Sequence, residues 1–197
     1  ENGPPKKFSY DLHLNHFDHF FTPGFEDVIA WRDGKEIRLK TVTNAPSIPH
    51  LDAYPENFRR LSLQVSEDGD LGRVELYSDK KRLDLYYVST QWLERGAGTI
   101  VMDWLVTQAA RNGLDLKLLK VRNPQIFRIL ERSRLLDPAS IRVQGKYYDE
   151  ERGESVKVDG PLEAAVFPES IEGASYDVTA KPNPRLADLP FKKKVEK

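Results

Sequence analysis

Val88-Ser89-Thr90-Gln91-Trp92-Leu93-Glu94-Arg95-Gly96-Ala97-Gly98-Thr99 is the stretch on which the fold turns. Before it, apolar residues recur with a period of two; after it, they recur with the period of a helix. Arg82–Val88 alternates Leu83, Leu85 and Tyr87 with Asp84 and Tyr86, as a strand requires. Thr99–Asn112 places Ile100, Val101, Trp104, Leu105 and the Gln108-Ala109 pair at helical spacing, and Gly113 stops the run. The chain here reads as a strand, a glycine-containing turn and a helix.

Toward the N-terminus two further strand runs precede this one. Arg60–Ser66 and Leu71–Ser78 are separated by Glu67-Asp68-Gly69-Asp70, and Asp79-Lys80-Lys81 leads into Arg82. Turns this short force neighbouring strands to run antiparallel. In the middle run Val74 and Leu76 face one way, while Arg73, Glu75 and Tyr77 face the other. Still earlier, Val28–Arg32 and Lys35–Leu39 flank Asp33-Gly34, a dipeptide suited to the positive φ angles of a two-residue hairpin turn. Asn44–Glu56 carries Pro46, Pro49 and Pro55 and reads as a loop with at most a short helix. Phe8–Phe21 is aromatic and His-rich, and Pro23-Gly24 ends it. Glu1–Lys7 reads as a disordered lead-in.

Toward the C-terminus, Leu114–Val121 is a compact apolar strand. Asn123-Pro124 opens a second helix, with Asn as cap and Pro in the first turn, where its missing N–H costs nothing. Ile126, Phe127, Ile129, Leu130 and Leu135 give that helix a core-facing stripe and carry it to about Leu136. Ile141–Tyr148 and Ser155–Val158 are strand candidates, with a further short one at Leu162–Phe167. After Pro168 the chain is polar, and Pro182, Pro184 and Pro190 argue for irregular structure. The basic end Phe191-Lys192-Lys193-Lys194 reads as solvated.

Composition bounds the function classes. The chain of 197 residues has no Cys, which removes disulfides, thiol nucleophiles and Cys-based zinc sites and fits a reducing, cytoplasmic setting. Thirty Lys and Arg against 31 Asp and Glu leave a formal charge of -1, so no global electrostatic footprint favours nucleic acid or an anionic membrane. No apolar run approaches the ~20 residues of a membrane span, and 31% charged residues suit a soluble protein.

The strand–loop–helix resembles the acyl-CoA binding signature of the GNAT-type N-acyltransferases. That family places an Arg/Gln-x-x-Gly-x-Gly/Ala loop between a strand and a helix. Leu116–Val121 is similar to the family's next strand, Asn123 matches the Asn that commonly follows it, and Pro124–Leu135 resembles the final helix. The resemblance spans roughly Arg60 to Tyr148. It implies an α+β fold: a mixed, mostly antiparallel GNAT-like sheet with helices on both faces. Residues 1–59 would form a helical and hairpin part of the same domain, residues 60–167 the GNAT-like core, and residues 168–197 an irregular tail. It also implies an acetyl-CoA or other acyl-CoA co-substrate and an amine acceptor, either a small molecule or a protein.

On that resemblance, main-chain N–H groups of Arg95, Gly96, Ala97, Gly98 and Thr99 would cradle the cofactor's diphosphate at a helix N-terminus. Tyr87 and Val88 would pair with the pantetheine arm, and Asn123 would complete the cofactor contacts. Amine acyl transfer needs a base for the ammonium and a proton source for the thiolate. Glu75 and Asp84 are the base candidates, because symmetric pairing of the Leu71–Val88 hairpin brings them to one face. Leu130 stands where the family often uses a tyrosine acid, so Tyr86 or Tyr87 is the candidate substitute. Leu93 and Glu94 occupy the family's Arg/Gln and adjacent glycine positions. These departures leave open an interaction protein that keeps the fold without turnover. The cluster of His13, His16 and His19, with Asp11 and Asp18 among them, leaves open a metal-dependent hydrolase that His50 would complete only through folding.

Overall fold

The computed structural model describes residues 10–14, 16–22, 24–41, 59–66, 70–88, 96–169 and 173–188. Ten strands form one mixed sheet: β1 (Asp11–Leu12), β2 (Glu26–Arg32), β3 (Lys35–Thr41), β4 (Arg59–Ser66), β5 (Asp70–Ser78), β6 (Arg82–Val88), β7 (Asp115–Val121), β8 (Arg142–Asp149), β9 (Glu154–Gly160) and β10 (Ala174–Ala180). Two α-helices accompany it, α1 (Ala97–Arg111) and α2 (Pro124–Arg132). The spatial order is β1-β2-β3-β4-β5-β6-β7-β10-β8-β9. Every described neighbour pair is antiparallel except β6 and β7, which are parallel because α1 crosses over between them. The fold is therefore α+β, as expected.

Local chemistry explains most of these elements. Asp33 and Gly34 both take positive φ, 53° and 78°, in the tight turn joining β2 to β3. Asn123 caps α2: its Oδ1 accepts from the Gln125 N–H at 2.9 Å, and Pro124 follows at the first helical position. That helix ends at Arg132 rather than near Leu136, because Ser133 returns to an extended conformation.

Alternation places Leu61, Leu63, Leu76, Leu83, Leu85, Leu116, Leu118, Tyr176 and Val178 in one core cluster. Ile100, Trp104 and Leu105 of α1 and Ile126, Phe127 and Leu130 of α2 join the same cluster. Both described helices thus pack on one face of the sheet, not one on each. Trp104 is fully buried; its ring meets Phe20 edge-on at 4.9 Å, and its Nε1 donates to the His13 carbonyl.

Two expectations near the C-terminus are corrected. The segment after Pro168 is not irregular throughout: β10 lies inside it and inserts between β7 and β8. Ala174, Tyr176, Val178 and Ala180 alternate as its buried positions, and Pro182, Pro184 and Pro190 all fall after it. Leu162–Phe167 is not a strand; Leu162–Ala164 is one turn of 3-10 helix. The reason is visible at Val166, whose N–H donates to the Tyr176 hydroxyl while its carbonyl accepts from it, at 3.0 and 2.6 Å. A side chain has taken the groups a ladder would need. Tyr176→Phe is therefore expected to lower stability by about 1–2 kcal/mol, read as a lower urea midpoint with an unchanged slope. No loss would mean that water replaces the hydroxyl without penalty.

Candidate functional site

The parallel β6/β7 pair is the place where the strand order switches, and its carboxyl ends are where open sheets offer a crevice. Pairing runs from Arg82↔Asp115 through Leu83↔Leu116 and Asp84↔Lys117 to Leu85↔Leu118. Among the described residues it goes no further, although β6 continues to Val88 and β7 to Val121. Each strand is also irregular just past its last paired residue. On β6, Leu85 pairs with Leu76 but Tyr87 with Glu75, which leaves Tyr86 as an extra residue. On β7, Leu118 pairs with Val178 but Val121 with Tyr176, so Leu119 and Lys120 stand opposite Asp177 alone. Two bulges therefore flank the level at which the strands part.

The chain re-enters the described structure at Gly96 and starts α1. Gly96 adopts φ 73°, a left-handed conformation that favours glycine, and no side chain caps the helix. The first N–H groups of such a helix have no partner within it, and its dipole presents a partial positive charge there. Gly98 is buried and Thr99 exposed in this first turn. A Cβ on Gly96 would lie 3.3 Å from Nη1 of Arg32, so the end of β2 brings a guanidinium to the start of α1. Nothing in the sequence signals this meeting, because it depends on how the hairpin packs beside the helix. Arg95, like Leu93 and Glu94, lies outside the described residues, as does His50.

The candidate proton-transfer groups separate. Glu75 is the register partner of Tyr87, at the open end of β6. The hairpin is symmetric from Ser78↔Leu83 to Leu76↔Leu85, and the bulge at Tyr86 then shifts the register by one. That moves Glu75 one residue farther from Asp84, whose direct partners are Tyr77 on β5 and Lys117 on β7. Asp84 is fully buried on the face opposite the helices, and Arg82 grips it through Nε and Nη2 at 2.5 and 2.9 Å. Such a fork holds both carboxylate oxygens as acceptors. Ser62 of β4, the register partner of Glu75 on β5, buries a hydroxyl that has no hydrogen-bond partner among the described residues. The Asn123 Oδ1 is engaged in capping α2.

The histidines do not assemble. His13 lies against Trp31 with its Nε2 3.9 Å from Asp27. His16 and His19 have ring centroids 5.4 Å apart, and His16 lies 3.8 Å from Asp18. Asp18 pairs with Arg59, and that hydrogen bond holds its carboxyl below the usual range. Among the described residues no three metal-ligating groups converge. A cavity of about 310 Å³ is lined by Asp137, Asn183, Pro184 and Arg185. There Asp137 caps the Ala139 N–H and Asn183 that of Arg185, so the two side chains serve their own turns. Among the described residues no helix is long and apolar enough to cross a membrane.

Comparison with protein-family models, with curated proteins and with solved structures finds no match to this chain.

Proposed function

We propose that the chain is a GNAT-like N-acyltransferase that moves an acetyl or other acyl group from CoA to an amine. The observation that carries this reading is the β6/β7 pairing, which ends at Leu85↔Leu118 while both strands run on. Main-chain groups of Tyr87 and Val88 at the open end are then available to an extended pantetheine arm. The diphosphate is assigned to the N–H groups of Gly96, Ala97, Gly98 and Thr99 at the start of α1, with Arg95 leading into them and Arg32 at its side. Asn123 is kept as a flanking contact.

In the reaction the amine nitrogen attacks the thioester carbonyl. A C–N bond forms, the C–S bond breaks, and the thiolate leaves with CoA. Glu75 is assigned as the base that takes the proton from the ammonium, because Asp84 is already gripped by Arg82. Tyr86, the extra residue of the β6 bulge, is assigned as the donor to the thiolate, and the second proton of the attacking nitrogen, lost as the C–S bond breaks, restores its hydroxyl.

Calorimetric titration with acetyl-CoA tests the reading, with binding expected at micromolar concentration. Gly96→Val should weaken it at least about tenfold, since a β-branched residue resists positive φ. No heat at high micromolar acetyl-CoA would remove the proposal. A second reading, an interaction protein without turnover, is favoured by the Arg82–Asp84 fork and by Leu130, which is buried in the core at the family's acid position. It predicts no CoA pocket and capture of a partner in a pull-down; CoA found bound after purification would count against it.

A further inference from the structure

Resting on the acyl-donor reading of the β6/β7 opening, we propose that Asp177 is a positioning residue of that site: its carboxylate holds β7 in the bulge that turns the strand's end away from β6. Lys120 sits at φ 50°, a left-handed conformation that an L-residue with a Cβ adopts only when its surroundings impose it. The Asp177 Oδ1 accepts the Lys120 main-chain N–H at 3.0 Å. In a regular ladder that N–H would pair with a carbonyl of the neighbouring strand. Here a side-chain oxygen replaces it and satisfies that N–H.

The placement ties this contact to the opening. Leu118 is both the last residue of β7 paired with β6 and the last before the slip against β10. The bulge therefore begins where the cleft begins. Regular pairing of Leu119 and Lys120 with β10 would straighten β7 and remove the twist that a bulge adds. Asp177 lies on the sheet face opposite the core, between the buried Tyr176 and Val178. Changing it leaves the packed side untouched, so its variants are expected to fold.

Three variants and two readouts test the proposal: Asp177→Ala, Asp177→Asn and the double change Asp177→Ala with Lys120→Gly. The readouts are hydrogen exchange at the Lys120 amide and the Kd for CoA. Asp177→Ala is expected to speed exchange at Lys120 about tenfold and to weaken CoA binding by a similar factor. Asp177→Asn retains an Oδ1 acceptor and should stay near the unaltered chain in both. The double change should recover CoA binding without recovering protection, because glycine adopts positive φ unaided. Unchanged exchange in Asp177→Ala overturns the proposal, and so does an Asn variant as weak as the Ala variant or a double change that rescues nothing. If the unaltered chain takes no CoA, the acyl-donor reading falls. Exchange at Lys120 then decides separately whether Asp177 shapes β7.

Discussion

Gly145→Ala should destabilise the protein by about 4 kcal/mol or more, the loss expected when a new atom has no space and the backbone around it must move. Gly145 lies on β8 opposite Tyr176 of β10. A Cβ built there would stand 2.1 Å from the Ser175 carbonyl oxygen and 2.8 Å from both the Cα and a ring carbon of Tyr176. Two of these neighbours are backbone, so no rotamer change relieves the contact. The Tyr176 ring has little freedom to retreat: it packs against Phe127 and Phe167 at 5.7 and 5.4 Å, and its hydroxyl is fixed at Val166. Relief requires β8 to part from β10, against which it is paired from Ala174↔Tyr147 to Thr179↔Arg142. Chemical unfolding of the two chains measures the difference; a loss below about 1 kcal/mol would show that the strands separate easily.

Asp103→Asn should act in the opposite direction, and only above acid pH. Asp103 lies on α1, a helix buried on nearly every side, and is itself 8% exposed. Burial pushes its carboxyl up to about 7 from 3.8. The native state then binds this proton more tightly than the unfolded chain does. Its neutral form carries no charge penalty below about pH 4, so stability falls as pH rises from there to about 7 and stays reduced beyond. A rise of this size corresponds to on the order of 4 kcal/mol at full ionisation. The amide of Asn carries no charge at any of these pH values. The stability advantage of Asp103→Asn should therefore widen by about 2–3 kcal/mol between pH 5 and pH 8. Urea unfolding at the two values measures it, and parallel stability–pH profiles would contradict the assigned environment.

Much of the architecture is legible from local pattern. The β2–β3 hairpin follows from Asp33-Gly34 between alternating runs, and the start of α2 follows from Asn123-Pro124. The change of period around Gly96 places a helix after a strand, which in turn requires the parallel return to β7. Segments whose state depends on a distant partner are not legible in this way. β10 was obscured by the prolines that follow it, although Ala174, Tyr176, Val178 and Ala180 carry the alternation themselves. Leu162–Phe167 has an apolar run, but Tyr176 claims the main chain at Val166. Of the candidate site, Gly96 and the helix start were evident from the glycines. Arg32, Asp177 and the Arg82 grip on Asp84 were not, because each depends on which side chain the fold carries to which backbone.

Period, turn chemistry and capping act over a few residues, so the amino-acid order alone was enough to place the meander and the strand–turn–helix at Gly96. Register slips at Tyr86 and Lys120, and the parting of β6 from β7 between them, came from the folded molecule. A bulge is a compromise among three or four strands at once, and no single strand's pattern contains it.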